Sequence, residues 1–145
     1  MEMMQLGRYL EGMDYYVVTE RHAAFEGVLR GCRCHYLKQQ ERKGVMSVLT
    51  ILRNIAYSLY ILTRERPTTI ISTGAGAAIP TCLFGKLMGA RLIFIESFAK
   101  VSHSSLTGRI LYRFADHFFV QWESDLNAYP KARYVGGLYE PSAGF

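Results

Sequence analysis

Residues 68–96, TTIISTGAGAAIPTCLFGKLMGARLIFIE, contain two short apolar runs separated by a glycine-containing loop and a helical segment. The runs Thr68–Thr73 and Arg91–Glu96 are rich in isoleucine and are bounded by turn residues, which predicts two strands. Residues 77–88 predict a helix between them, with Gly89 as its C-terminal cap. This order of strand, loop, helix and strand is typical of a parallel sheet covered by helices.

The same alternation continues on both sides of this stretch. We predict helices over residues 3–11, 21–30, 44–64, 104–115 and 122–128, and strands over residues 14–19, 32–37, 117–121 and 133–135. Because no repeat, low-complexity tract or linker interrupts the pattern, residues 1–145 are predicted to form one domain. The fold class is α/β, a doubly wound, mostly parallel, Rossmann-like sheet.

The predicted order begins with a helix, whereas a doubly wound unit normally opens with a central strand and a tight loop. We therefore expect the first strand and its glycine-rich loop to lie upstream of Met1.

The composition narrows the classes of function. Half of the residues are hydrophobic and a fifth are charged, which excludes a disordered chain. The net charge of +5 favours anionic partners such as phosphates or acidic lipid headgroups. We expect no nucleic-acid partner and no cofactor.

The cysteines and the apolar segments indicate the cellular compartment and whether the chain contains a membrane span. Cys32, Cys34 and Cys82 follow no signal peptide, which predicts reduced thiols in the cytosol. Cys32 and Cys34 lack a second ligand pair, so we expect no metal site. A membrane span requires about 18 uncharged apolar residues, and Arg53 interrupts the nearest candidate, residues 44–63.

A first candidate site follows the strand Thr68–Thr73. Glycines at such a position let the backbone approach a ligand, and the amides at the following helix start attract phosphate. The predicted phosphate-binding residues here are Ser72, Thr73, Gly74, Ala75 and Gly76. A tight turn without a ligand is the alternative, and a dinucleotide fingerprint fits poorly because Ile79 occupies the third glycine position.

A second candidate site follows the strand Arg91–Glu96. Glu96 ends this strand at the edge where open α/β sheets bind ligands, and His103 follows it. Either side chain could accept a proton from a substrate hydroxyl, so both are candidate catalytic residues. The alternative is that Glu96 pairs with Lys100 or Arg91.

The helix predicted over Gly44–Arg64 has two different faces. One carries apolar residues at helical spacing and is expected to face the core: Val45, Val48, Leu49, Leu52, Ile55, Ala56, Leu59 and Leu62. The other combines apolar, aromatic and basic side chains, namely Met46, Arg53, Tyr57, Tyr60, Ile61 and Arg64, and the helix over 104–115 repeats the mixture with Leu106, Arg109, Ile110, Tyr112 and Arg113.

Such mixtures suit a bilayer interface, where aromatic rings lie at headgroup level and arginine extends toward the phosphates. The predicted membrane-facing residues are Arg53, Tyr57, Tyr60, Arg64, Arg109, Tyr112 and Arg113. A protein–protein contact, or a helix with two buried faces, remains the alternative.

Three motifs carry a family resemblance. They are TTIISTGAGAAIP from Thr68, RLIFIESFAKVSHSSLTGRILYRFADHFFVQWES from Arg91, and YPKARYVGGLY from Tyr129. In this order and spacing they resemble the membrane-anchor subunit of the two-component N-acetylglucosaminyltransferase of asparagine-linked glycosylation. They look still more like its bacterial relatives in capsule and exopolysaccharide biosynthesis. A weaker similarity extends to the amino-terminal domain of the peptidoglycan transferase that makes lipid-linked disaccharide, a GT-B enzyme with both halves in one chain.

The resemblance implies a divided enzyme. A partner subunit would hold the UDP-sugar, while this chain would form the other half of the cleft and bind the polyprenyl-pyrophosphate-linked sugar. It would also bring the partner to the cytoplasmic face of the membrane, as a peripheral protein. By the resemblance, Gly74, Ala75 and Gly76 line the acceptor side, and Glu96, Ser97 and Phe98 lie at the edge of the cleft.

The family normally begins with a strand and a loop that contains serine, glycine and histidine, which are the elements expected upstream of Met1. Two other functions remain open: a structural membrane adaptor, and an α/β enzyme that binds a nucleotide by itself.

Overall fold

The structure is a computed structural model, and it describes residues 6–7, 9–20, 31–39, 45–99 and 104–137. Its strands are β1 (Tyr16–Glu20), β2 (Arg33–Leu37), β3 (Thr69–Ser72), β4 (Arg91–Ile95), β5 (His117–Val120) and β6 (Arg133–Tyr134). Its α-helices are α1 (Val45–Glu65), α2 (Ile79–Leu87) and α3 (Leu106–Leu111). Two 3₁₀ turns cover Gly76–Ala78 and Glu123–Asn127.

Most of the predicted elements among the described residues are confirmed with shifted ends. The helix predicted over 77–88 begins as a 3₁₀ turn before α2, and Gly89 adopts the positive φ of 97° expected of a helix cap. The helix predicted over 104–115 is shorter, because the chain turns after Leu111. The helix predicted over 3–11 is wrong at residues 9–11, which lie in turns. The helix predicted over 21–30 lies outside the described residues.

The strands form two parallel sheets. One has the order β1-β2, and the other has the order β3-β4-β5-β6. A single doubly wound sheet was predicted, and no ladder joins β1 to β3 in the described part of the chain. The α/β class and the parallel pairing are nevertheless those predicted.

Contacts across the two sheets show that they run in the same direction. At the start of β2, Arg33 binds Glu65, which precedes β3, with Nη1 and Oε2 2.9 Å apart. At the end of β2, Leu37 packs against Ala77 and Ala78, which follow β3. The beginnings of β2 and β3 are thus neighbours, and so are their ends. All strands therefore finish at one common edge.

The larger core lies between the four-stranded sheet and the helices α2 and α3. Its fully or nearly buried members are Cys82, Leu92, Phe94, Leu111, Phe118, Val120 and Tyr129. The rings of Phe94 and Phe118 stack with centroids 4.8 Å apart. At Gly85, a side chain would collide with Ile70, so glycine allows α2 to pack closely on β3.

Helix α1 corrects the predicted core stripe. Val48, Leu49 and Leu52 were expected to be buried, but they are 57%, 58% and 55% exposed. Ala56 and Leu59 are also exposed, whereas Ile61, which was expected on the outer face, is fully buried beside Leu62. The side chain of Val45 lies outside the described residues.

Hydrogen bonds explain why α1 faces this way. The buried side chain of Asn54 accepts from the Lys38 amide at 3.1 Å and donates to the Lys38 carbonyl at 2.9 Å. The buried hydroxyl of Ser58 pairs with that of Thr81 at 2.8 Å. Two polar residues therefore occupy the inner face because the neighbouring elements satisfy them.

Candidate functional site

The first candidate site is the loop that leaves β3, defined here as the β3 loop (Ser72–Gly76). Gly74 has a φ of 103°, a conformation that L-residues with side chains rarely adopt. Its amide donates to the Ser72 hydroxyl at 3.4 Å. Ala75 begins the following 3₁₀ turn, and no side chain caps that turn among the described residues. Uncapped amides at such a turn suit an anionic oxygen.

The inner side of the β3 loop is buried. Ser72 is buried, and its hydroxyl forms a hydrogen bond with the thiol of Cys82. Burial raises the pKa of Cys82 to about 11, against the smaller lowering effect of that bond. Cys82 is therefore a protonated core residue at neutral pH. Of the loop residues, Ala75 is the one most open to a ligand.

The β3 loop and the start of α3 lie side by side. A β-carbon built on Gly76 would stand 3.9 Å from the Thr107 hydroxyl, and one on Gly74 would stand 3.9 Å from the Phe94 ring. Because parallel strands end at the same edge, the residues that follow β4 belong to the same region. The fold thus brings the two candidate segments of the sequence together.

Glu96 follows β4 and has no solvent exposure. Its Oε1 accepts from the Ser97 amide at 3.0 Å, and its Oε2 accepts from the Ser105 amide at 3.3 Å. The Tyr129 hydroxyl donates to the same Oε2 at 2.9 Å. The Glu96 carboxylate therefore binds both ends of the segment between β4 and α3. These contacts are those of a positioning residue.

Helix α3 approaches Glu96 very closely. A β-carbon on Gly108 would stand 2.2 Å from Oε2 of Glu96, so a side chain there would displace the carboxylate. Ser105 caps the helix by accepting from the Gly108 amide at 2.8 Å. Glu96 therefore lies against the first turn of α3, where a negative charge is stabilised.

Two further titratable groups surround Glu96. Burial, followed by the hydrogen bond to Glu96, raises the pKa of Tyr129 above its usual value of 10.0. Burial, followed by the negative charge of Glu96, raises the pKa of Asp125. Among the described residues, Oδ2 of Asp125 is a buried oxygen without a hydrogen-bond partner. The cost of a second buried charge beside Glu96 explains the direction of the Asp125 shift.

Ser97 and Phe98 are partly exposed residues of this segment. The hydroxyl of Ser97 accepts from the Ala99 amide at 3.4 Å. The Phe98 ring lies 4.7 Å from the Trp122 ring, and the indole nitrogen of Trp122 donates to the Phe98 carbonyl at 2.8 Å. Both remain candidates for the edge of the cleft. His103, the second predicted catalytic residue, lies outside the described residues.

The predicted membrane-facing residues divide into two groups. The exposed ones are Arg53, Tyr60, Arg64, Arg109 and Arg113. Tyr57 and Tyr112 are partly exposed, and the ring of each also lies near a ring further inside. Their role at the membrane stays a prediction. The Tyr112 ring lies 5.1 Å from that of Phe118, and the Tyr57 ring lies 6.3 Å from that of His35. Among the described helices, none combines the length and apolar character needed to cross a bilayer.

Several contributors to the site escaped the sequence reasoning. Tyr129, Ser105 and Gln121 all bind Glu96, and Gln121 does so by donating to the Glu96 carbonyl at 2.9 Å. Tyr129 lies 33 residues away in sequence. No local spacing in the sequence links it to Glu96. No group of three metal-ligating side chains occurs in the described ranges.

Comparison with known proteins identifies the family. Residues 22–138 match the family described as "Oligosaccharide biosynthesis protein Alg14 like". The chain belongs to this family. The UDP-N-acetylglucosamine transferase subunit ALG14 of Rattus norvegicus is 30% identical over 107 residues, which is 70% of this chain and 50% of the relative. The subunit of the same name from Yarrowia lipolytica is 34% identical over 98 residues, 63% of this chain and 45% of the relative.

The Alg14-like chain therefore spans about half the length of the curated relatives it matches. Its fold is similar to the crystal structure of Acinetobacter baumannii MurG, with a TM-score of 0.73 at 14% identity. That similarity covers 97% of this chain and 42% of MurG. The Alg14-like chain thus has a Rossmann-like α/β fold that resembles one half of a GT-B transferase, as predicted.

Proposed function

We propose that this chain is the acceptor-side subunit of a split UDP-sugar glycosyltransferase that extends a polyprenyl-pyrophosphate-linked sugar. The pathway is capsule, exopolysaccharide or lipid-linked oligosaccharide biosynthesis. The observation that carries the proposal is the family match over residues 22–138, because the curated relatives are named as transferase subunits. Membership in this family supports a role in transfer that depends on a catalytic partner.

A division of labour between two subunits follows from the proposal. This chain would form one half of a GT-B-like cleft, and the donor-binding subunit would form the other and hold the UDP-sugar. The β3 loop supplies amides for the pyrophosphate of the acceptor, and Ala75 is its exposed point. Glu96 holds the neighbouring segment, including Ser97 and Phe98, in place. Glu96 and His103 remain the candidate bases for the acceptor hydroxyl.

The membrane surface is the third proposed partner, and α1 supplies its contact. The apolar face of α1 (Val48, Leu49, Leu52, Leu59 and Tyr60) is exposed along the length of the helix. At 100° per residue these side chains span about 120° of its circumference, and Arg53 and Arg64 flank them on one side. An apolar stripe bordered by arginine suits insertion at the cytoplasmic face of a bilayer with acidic headgroups.

Two other functions remain as rivals, each with a distinguishing result. A structural adaptor would need the apolar face of α1 but not the β3 loop. A nucleotide-binding enzyme would bind UDP through the β3 loop without a partner.

The test is ligand binding by the purified chain in detergent. The probes are UDP and a short-chain polyprenyl-pyrophosphate N-acetylglucosamine. We expect the chain to bind the lipid probe and not UDP. The variant Ala75→Glu should weaken that binding at least tenfold through charge repulsion at an exposed site, whereas the matched control Ala128→Glu should not. Comparable affinity for UDP would favour the nucleotide-binding rival, and an unchanged affinity in Ala75→Glu would remove the β3 loop from the acceptor site.

A further inference from the structure

The only tryptophan of the chain lies beside Phe98 at the edge where the strands end. Trp122 follows β5 and Phe98 follows β4, so both leave the sheet at the same edge as the β3 loop. Their ring centroids are 4.7 Å apart, and the ring planes are tilted by 34°. Phe98 and Trp122 are defined here as the aromatic pair.

Hydrogen bonds between the ends of β4 and β5 hold the aromatic pair in place. The Glu96 amide donates to the Phe119 carbonyl at 2.9 Å, and the Gln121 side chain donates to the Glu96 carbonyl at 2.9 Å. The indole N–H of Trp122 then donates to the Phe98 carbonyl at 2.8 Å. A ligand would therefore meet the two rings already in position, which lowers the entropic cost of binding.

Core packing does not account for the aromatic pair. Among the described residues, neither ring belongs to the two buried clusters or to the apolar side chains packed against them. Both residues are partly exposed, and the N–H of Trp122 is already bound to the backbone, so Trp122 exposes ring surface. Aromatic ring surface at the edge where open α/β sheets bind ligands suits a ligand contact.

The aromatic pair lies one sugar away from the β3 loop. Strands β3, β4 and β5 are consecutive in the sheet, and neighbouring strands are about 4.8 Å apart, so the ends of β3 and β5 are separated by about 10 Å. A pyrophosphate and the first sugar joined to it span a comparable length. The β3 loop is the proposed site of the pyrophosphate, so the identity of the ligand at the aromatic pair rests on the proposed function.

We propose that the aromatic pair stacks against the pyranose ring of the lipid-linked sugar, with Trp122 as the principal contact. A pyranose ring presents C–H groups on its faces, and these are attracted to the negative face of an aromatic ring. Glu123 and Ser124 follow Trp122 directly and are exposed, so their oxygens can bind the sugar hydroxyls. Trp122 thereby orients the acceptor sugar in the cleft.

The first test uses the fluorescence of Trp122, which has no background because the chain contains one tryptophan. The purified chain in detergent is titrated with polyprenyl-pyrophosphate N-acetylglucosamine, with polyprenyl pyrophosphate of the same chain length, and with UDP. We expect only the sugar-bearing lipid to reduce acrylamide quenching of Trp122, by about twofold or more, because a stacked sugar covers the ring. Equal protection by the sugar-free lipid would overturn the proposal in favour of a lipid contact, and protection by UDP would overturn it in favour of a nucleotide base.

The second test separates stacking from the hydrogen bond of the indole. Trp122→Leu should weaken calorimetric binding of the sugar-bearing lipid about fivefold and leave binding of the sugar-free lipid unchanged, because one aromatic contact is lost. Trp122→Phe keeps a ring but loses the N–H, and its affinity should stay within about twofold of that of the unchanged chain. Phe114→Leu is the matched control, since Phe114 is an exposed aromatic residue that precedes β5 at the opposite edge of the sheet. It should bind both lipids normally.

Each unexpected result has a distinct meaning. Equal losses of affinity in Trp122→Phe and Trp122→Leu would assign Trp122 a structural role through its hydrogen bond and would overturn the stacking. If the unchanged chain and Trp122→Leu bind the sugar-bearing lipid equally well, the stacking is overturned and the proposed function stands. If the unchanged chain binds neither lipid, the proposed function fails and the stacking fails with it.

Discussion

At the scale of single residues, Glu96 shows how far sequence reasoning reaches. The sequence places it at the end of a strand, at the edge where α/β sheets bind ligands, and the structure agrees. Its burial and its bond to Tyr129 were not predictable, because the partner lies 33 residues away in sequence. A carboxylate with three donors and no exposure fits the task of holding the segment before α3. Proton transfer by Glu96 remains a prediction.

Substitution separates these two roles. Glu96→Gln places an amide N–H₂ against N–H and O–H donors, so we expect the free energy of unfolding to fall by about 3 kcal/mol. Tyr129→Phe removes one hydrogen bond to a charged group and should cost about 1.5–3 kcal/mol. Urea denaturation measures both.

Exposed residues of the same types provide matched controls. Glu123→Gln and Tyr134→Phe should change the stability by less than about 0.5 kcal/mol, since both side chains are exposed. A Glu96→Gln variant with normal stability and no transfer activity would contradict the positioning role and would favour Glu96 as the base.

At the scale of elements, the ends of α1 were predicted almost to the residue, but the prediction of which helix face is buried was wrong. Apolar residues at helical spacing normally mark the core. Here the buried face includes Asn54 and Ser58, which the Lys38 backbone and Thr81 satisfy. Sequence periodicity cannot separate a buried polar residue with distant partners from a solvent-exposed one. The correction enlarges the proposed membrane contact, because the stripe expected in the core is exposed instead.

If α1 contacts the membrane, a charge placed on its apolar face should weaken membrane binding and leave the stability of the fold almost unchanged. Leu52→Glu should lower binding to vesicles of phosphatidylglycerol and phosphatidylcholine at least tenfold, because burial of one leucine contributes about 1.5–3 kcal/mol. Stability should change little, since Leu52 is 55% exposed. Vesicle flotation measures the bound fraction.

The control for this effect is Leu87→Glu, which makes the same substitution at an exposed position at the end of α2. We expect Leu87→Glu to float with vesicles to the same extent as the unchanged chain. If Leu52→Glu also floats normally, the apolar face of α1 is not the membrane contact, and a protein–protein role becomes the better interpretation.

At the scale of the whole molecule, the alternation of strands and helices was sufficient to predict the α/β class and parallel pairing. The division of the strands into two sheets was not predictable, because β1 and β3 are about 50 residues apart in the sequence and no ladder joins them in the described part of the chain. The expectation of a further strand came from the predicted order of elements. That expectation stays a prediction.

The central claim is that this chain transfers sugar only together with a donor-binding partner. The most direct measurement is transfer from radiolabelled UDP-sugars to membrane lipid by this chain, by a candidate donor-binding subunit, and by both together. Transfer by the mixture alone, with one preferred UDP-sugar, is the predicted result. Transfer by this chain alone would contradict the claim and make it an enzyme in its own right.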